Sequence, residues 1–374
     1  MTADVPRAAH GVTGEVPASL AFEVPAELVA HAPPEARGLR RDGVRLLVSR
    51  RSDDAIFHTR FRRLPHFLAA GDVLVVNRSA TINAALAAVR RRLDGGRERV
   101  LLHLSTPQPP ADESAGLANV EDDWIVELRR ITADGNAPLF DAQAGETILL
   151  PAGGTAQLLA PFAGSSRLWI ARLGVAGDVL AYAARHGAPI RYGYVRDPWP
   201  LSYYQTIFAS EPGSAEMPSA ARAFTGAVVS HLAGSGVAIA SIVLHTGVSS
   251  LDAGESPYPE RYEVPASTSS AIERARASGG RVVAVGTTVV RALETMASAD
   301  GTVRSGAGWT DLTITPERGV HAVDALLTGF HTPKGSHLSL LEAFAGRAHL
   351  ARAYDAALRG HYLWHEFGDL HLIV

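Results

Sequence analysis

Apolar and polar positions change rhythm twice along this chain. Residues 1–20 show no periodic pattern and read as a flexible tail. FEVPAELVAHAPP, Phe22 to Pro34, predicts a short turn-rich helix, and VRLLVSR, Val44 to Arg50, predicts a strand. From Gly71 the pattern becomes short apolar runs broken by turns. GDVLVVN is the first of these. ALAAVRRRLDGGRERVLLHL then predicts a hairpin whose Asp94-Gly95-Gly96 corner suits a tight turn. Residues 106–122 lack apolar periodicity and read as a loop, after which DWIVELRR, ETILLP, TAQLLA and RLWIARL give further strands to about Leu173. Short strands at this spacing predict a small β-barrel.

After about residue 176 helices alternate with continuous apolar strands. GDVLAYAARHG closes at Gly187, and FTGAVVSHLAGSG is capped by Thr225 and ends at Gly234 or Gly236. VAIASIVLHTG and RVVAVG are apolar throughout, as strands buried on both faces are. The alternation predicts an α/β fold with a mostly parallel sheet flanked by helices. The expected division is a tail (1–20), an α/β domain (21–70 and 176–374) and an inserted β-barrel (71–175).

Composition narrows the function. The 374 residues contain no cysteine, which removes disulfides, thiolate metal sites and a cysteine nucleophile. The first residues lack the apolar core of a signal peptide, and no apolar run approaches the length of a membrane span. A cytoplasmic protein is therefore expected. The net charge of −3 hides an asymmetry: the first hundred residues carry 16 arginines against 11 acids, the remainder 19 basic residues against 27 acids. Arg90, Arg91, Arg92, Arg97 and Arg99 form a local basic face that could meet phosphates, with a solvated arginine-rich surface as the plainer reading. Lys334 is the chain's only lysine, a hint that one position needs a compact ammonium.

Ligands of open parallel sheets bind beyond the carboxyl ends of the strands. Two such ends carry polar chemistry: Leu244-His245-Thr246-Gly247 and Val285-Gly286-Thr287-Thr288. In the second, Gly286 permits close backbone approach, and the threonines open a helix whose N–H groups suit a phosphate, carboxylate or ribose. A plain turn with Thr288 as N-cap is the alternative. Arg291 and Glu294, three apart, are placed to pair or to share a ligand. TGFHTPKGSH, Thr328 to His337, gathers two histidines and Lys334 before a helix from His337 to Phe344. His361 and His365 would make a metal pair only on a helix and with a third ligand, and no metal is expected. Tyr203-Tyr204-Gln205-Thr206 suits either a planar base or a domain junction.

These segments, in this order, resemble the S-adenosylmethionine:tRNA ribosyltransferase-isomerases of queuosine biosynthesis. The likeness runs from about Phe22 to the C-terminus. It includes FEVPAELVAHAPPEARG, GDVLVVN, YYQTIFASEPGSAEMPSAARAFT, IVLHTG, VAVGTTVVRALE, LLTGFHTPKGSHLSLLEAFAG and FGDLHLIV. The resemblance implies an α/β domain with an inserted barrel. It also implies transfer of the ribosyl part of S-adenosylmethionine to the aminomethyl group of a 7-deazaguanine in tRNA, with adenine and methionine released. S-adenosylmethionine would be a substrate, with no further cofactor, and a monomer is expected. Carried over by motif, Glu294, His331, Glu260 and Asp369 become the proton-transfer candidates. Gln205, Thr225, His245, Gly286, Thr287, Thr288, Arg291 and Lys334 become the substrate-binding candidates.

The chain departs from the family pattern in places. Ala221 and Ala223 stand where it has a glycine and a histidine, Ser256 and Tyr258 where it has histidines, and Gly329 where it has an asparagine. VSSLDAGESP replaces a glycine-and-phenylalanine tract, GSH an STL, and EFGDLH a SYGDAM. Each polar partner missing from a closed site costs about 1–3 kcal/mol. A relative acting on another acceptor, and a non-catalytic RNA-binding protein, therefore stand beside the family reaction as alternatives.

Overall fold

A computed structural model describes residues 20–109, 123–132, 135–249, 257–333 and 336–374. The segment 22–34 holds short 3-10 turns at Ala26–Leu28 and Pro34–Arg37 rather than one helix, consistent with its prolines at 25, 33 and 34. The hairpin of β1 (Arg45–Arg50) and β2 (Ala55–Arg60) forms one edge of a nine-stranded sheet. β3 (Val73–Asn77) is buried along its whole length and lies at the centre of that sheet. GDVLVVN therefore does not open the barrel as its position in the sequence suggested. An apolar run marks a buried strand but not its partners, which here come from residues 238–242 and 282–284.

β4 (Ser79–Thr81) leads out of the sheet. The barrel follows with β5 (Ala85–Arg91), β6 (Arg97–Pro107), β7 (Asp123–Thr132), β8 (Gly135–Pro138), β9 (Thr147–Leu149), β10 (Thr155–Pro161) and β11 (Leu168–Gly174). Pairing of β11 with β7 closes six of them, and β8 takes the remaining length of β7's edge. Closure removes the exposed edges that short strands would otherwise present. At the β5–β6 corner Gly95 has φ +87°, and the Asp94 carboxylate accepts the Gly96 N–H at 2.9 Å. Of the loop expected at residues 106–122, Thr106 and Pro107 instead end β6, and 110–122 fall outside the described residues.

The chain returns through α1 (Val179–His186), capped by Asp178 and closed at Gly187, and β12 (Glu211–Ser214), which pairs parallel with β4. α2 (Gly226–Gly234) is capped by the Thr225 hydroxyl. Then come β13 (Ala238–Leu244), β14 (Glu260–Val264), α3 (Ala266–Ala277), β15 (Val282–Val285) and α4 (Thr287–Thr295). β16 (Gly306–Thr310), β17 (Ala325–Gly329), α5 (Ser336–Ala345), α6 (Arg347–Arg359) and β18 (Leu370–Ile373) complete the fold. The large sheet runs β16-β14-β13-β3-β15-β17-β18-β1-β2. Its centre, β13-β3-β15-β17, is parallel, as is the pair β18-β1, and the other four pairs are antiparallel.

Strand period two explains how the sheet is covered. Val73, Val75, Val282 and Ala284 face a cluster with Val289, Leu293, Leu341 and Trp364. Leu74, Val76, Val283 and Val285 face the opposite cluster with Phe61, Phe224 and Leu232. Each such side chain contributes about 1.5–3 kcal/mol by leaving water. A separate apolar cluster fills the barrel. Among the described residues no helix is long and apolar enough to cross a membrane.

Candidate active site

A cavity of about 360 Å³ opens where the carboxyl ends of β13, β15 and β17 meet the barrel, the location that parallel-sheet topology favours. Val285–Thr288, Thr246–Ser249 and Thr328–His331 form one side, and Ser105, Thr106, Ile125 and Phe162 of the barrel form the other. Gly286 has φ +94°, a left-handed conformation that a side chain would strain. It, and not Thr288, is the N-cap of α4. The first turn of α4 thus presents backbone N–H groups and two hydroxyls to the cavity.

His331 and His337 stack with ring centroids 4.5 Å apart. The Thr328 hydroxyl lies 3.0 Å from His331 Nε2 and the Thr287 hydroxyl 3.3 Å from His337 Nδ1. Desolvation holds His331 well below its ordinary value and His337 at about 4. Both rings are neutral at pH 7, and charging one opposes charging its neighbour.

Two carboxyls with no distinguishing sequence pattern face the same cavity. Glu216 accepts hydrogen bonds from the Tyr192 and Ser249 hydroxyls, and one from the Ser249 N–H at 2.8 Å. Glu366 accepts from the Tyr194 hydroxyl at 2.7 Å. The two tyrosines stack, centroids 6.0 Å apart, and His365 stacks on Tyr194 at 4.2 Å. Burial raises Glu216, and burial together with the field of Glu216 pushes Glu366 up to about 7. Desolvation holds both tyrosines well above 10, so they remain donors. The site therefore contains a carboxyl divided between its acid and base forms near neutral pH, the condition for efficient proton transfer.

The residues expected from sequence divide sharply. Gly286, Thr287, Thr288, Arg291, Glu260 and His331 border the cavity. Arg291 is committed there: it pairs closely with Glu260 and donates to the Leu312 and Thr310 carbonyls at 3.1 Å each. Glu294 lies elsewhere. Its carboxylate is buried against Arg318 at 2.7 Å and accepts the N–H groups of His321 and Ala322. The three-residue spacing of Arg291 and Glu294 thus serves two separate pairs, and Glu294, expected as a proton carrier, does not border the cavity. Asp369 is also structural, accepting the N–H groups of Arg45 and Leu363 at 2.7 and 2.9 Å.

Gln205 bridges the N–H and C=O of Thr81. Thr225 caps α2 and donates to Asp42 at 3.0 Å. His245 lies against the Ser79 hydroxyl at 2.8 Å. None of these three faces the cavity. Lys334 falls outside the described residues. His361 and His365 take positive φ, +55° and +72°, so they share no helical face.

On the barrel, Arg90 is buried in the wall against Glu146 and Asp141 at 2.7 and 2.9 Å, out of reach of a phosphate in solvent. Arg92 pairs with Asp141, and Arg91 is exposed. The departures separate as well. Ala221 and Ala223 pack beside Phe224, whereas Tyr258 and Gly329 stand in the cavity wall. Ser256 is not among the described residues.

A mixed-sheet α/β domain carrying an inserted barrel, with tyrosine-held carboxyls lining the cavity where the two meet, places the chain among two-domain α/β proteins with a polar cavity at the junction. The chain belongs to the queuosine biosynthesis protein family, whose model matches residues 18–373. It is 36% identical to an S-adenosylmethionine:tRNA ribosyltransferase-isomerase from Moorella thermoacetica, over 94% of this chain and 98% of that one. To the protein of that name from Natranaerobius thermophilus it is 34% identical, over 93% and 96%. A crystal structure of S-adenosylmethionine tRNA ribosyltransferase from Thermotoga maritima is similar at a TM-score of 0.50 and 27% identity, covering 94% of this chain and 99% of that one.

Proposed function

We propose that the protein transfers the ribosyl group of S-adenosylmethionine to the 7-aminomethyl-7-deazaguanine of a tRNA, with adenine and methionine leaving. The observation that carries this reading is the pair Glu216 and Glu366, each held by a tyrosine and both facing the cavity beside the Gly286–Thr288 turn. The reaction needs a base for the attacking amine and for a proton beside the sulfonium, and an acid for departing adenine. Glu366, divided between its two forms near neutrality, serves on either side of such a transfer. The neutral stacked histidines offer further donors and acceptors without adding charge beside a sulfonium. Arg291 is neutralised by Glu260, so anchoring of the methionine carboxylate falls to the Gly286–Thr288 turn, with Arg291 and Glu260 fixing the floor beneath it. Tyr192, Tyr194, Tyr204 and Phe330 in the lining supply faces for planar bases and for the sulfonium cation.

A second reading is favoured by Tyr258 and Gly329, which put an aromatic ring and a gap into the wall where the family pattern has polar side chains. Under it, donor chemistry is kept and the acceptor differs. Incubation with S-adenosylmethionine and tRNA carrying the aminomethyl base, followed by quantification of adenine, tests both. Adenine release dependent on that tRNA supports the ribosyl transfer. Donor binding without release in its presence refutes that acceptor.

A further inference from the structure

The arginine surplus of the first hundred residues acquires a location in the fold. An open groove of about 270 Å³ on the sheet's outer edge is lined by Arg45, His58, Thr59, Arg60, Arg62 and Arg63, with no acid among them. Arg45 donates to the carbonyls of Gly360 and His361, Arg60 to that of Gly43 at 2.7 Å, and Arg63 lies 3.3 Å from His66 Nε2. Among the described residues none of these four arginines forms an ion pair with a carboxylate. Asp369, near Arg45, is buried and taken up by backbone N–H groups. Some exposed arginines elsewhere, Arg50, Arg130, Arg352 and Arg359, lie beside an acid; what sets the groove apart is that four arginines line one opening. Arg45 acts electrostatically on the buried Asp369, and guanidiniums gathered in one groove repel one another unless an anion lies between them.

We propose that this groove holds the phosphodiester backbone of the RNA substrate outside the reaction cavity. The assignment rests on the reading that the acceptor is a tRNA. An open groove lined by side chains suits a polymer of phosphates better than a single phosphate, which is usually enclosed by converging backbone N–H groups. The groove also lies close to the site. The Arg45 guanidinium sits 3.9 Å from the Tyr362 ring centre, and Tyr362 packs 5.5 Å from Phe330, a residue of the cavity wall. Backbone contacts of this kind fix register and orientation without reading sequence. They would hold the RNA body while one base enters the cavity.

The test is the salt dependence of binding to an unmodified tRNA transcript, compared between wild type and Arg62→Ala/Arg63→Ala. Both side chains are exposed, so the fold is retained, which an unchanged melting profile checks. Every arginine–phosphate pair that is abolished lowers the log–log slope by about 0.7–0.9, so the double variant should bind about twenty-fold more weakly at about 0.15 M salt with a slope reduced by about 1.4–1.8. Arg91→Ala/Arg92→Ala, two arginines of the barrel hairpin, should change the slope less. Equal affinity and slope in wild type and the groove variant overturn the proposal. So does an equal effect of the two double variants, which would mean that overall charge and not the groove governs binding. Displacement of the transcript by millimolar inorganic phosphate, beyond its ionic-strength effect, would make the groove a small-anion pocket and refute it as well. A wild type that binds no tRNA at any salt refutes the functional reading itself.

Discussion

Replacing Glu366 with Gln separates chemistry from stability. Gln keeps an oxygen to accept the Tyr194 hydroxyl but cannot carry the proton. Loss of one acid–base group typically lowers turnover about 10²–10⁴-fold, so adenine release should fall by that factor. Stability should move the other way. In the folded protein the carboxyl titrates at about 7 instead of 4.5, so the native state holds a proton that the unfolded chain has already lost. The native state of the wild type is therefore increasingly disfavoured as pH rises from 4.5 to 7, and the penalty is constant above that. The full shift corresponds to about 3 kcal/mol, but Glu366 faces an open cavity and water offsets part of it, leaving about 1–2 kcal/mol. For a chain of this length that is about 2 °C in Tm. Glu366→Gln should thus melt about 2 °C higher than wild type at about pH 8 and gain little at about pH 4.5. The assays are adenine release under saturating donor and thermal melting at the two pH values. Turnover within tenfold of wild type would refute the proton-transfer role, and an equal gain in Tm at both pH values would refute the raised carboxyl.

Arg291→Ala leaves Glu260 without its partner in a largely buried setting and should cost about 3 kcal/mol in chemical denaturation; adding Glu260→Gln should recover part of that loss. Thr225→Ala removes the cap of α2 and should cost about 1 kcal/mol, with donor affinity unchanged because Thr225 does not border the cavity. Acidification should unfold the protein cooperatively: His337 and His365 titrate at about 4 and His371 at about 3 when folded, against about 6.5 when unfolded. The unfolded chain then binds more protons, and stability should fall steadily as pH drops from about 6.5 through about 4. A Tm that is flat between about pH 7 and pH 5 would contradict this.

What the sequence disclosed followed from local physics. RVVAVG announces a strand covered on both faces, Gly286 a backbone that only glycine adopts easily, and the threonines after it a helix start. Those features place a site without any knowledge of tertiary partners. Thr225 was legible as a cap for the same reason, although capping and not ligand binding is its visible task. The failures are questions of partnership. GDVLVVN reads as buried in either domain, because its neighbours come from more than 150 residues away. Arg291 and Glu294 have the spacing of a pair, yet each finds a better partner off the helix. Arg90 looks like surface charge until Glu146 is brought beside it. Glu216 and Glu366 lie in distant loops, with no periodicity to mark them. The stacked Tyr192 and Tyr194, one holding each carboxyl, bring them to one cavity.

The pairing of β4 with β12 is parallel, and that polarity dictates the route of the chain. Had the two strands run in opposite directions, the chain could have left the barrel and entered β12 directly. Running in the same direction, they oblige the chain to travel back before it can start β12, as any parallel connection must. The return leg, from Ile190 to Tyr204, runs along the cavity and deposits Tyr192, Tyr194 and Tyr204 in its lining. The hydroxyls that hold the two acids are thus a by-product of strand direction at the domain junction. Transplanting the barrel onto another sheet would have to carry this detour with it, since the barrel alone brings only the opposite wall.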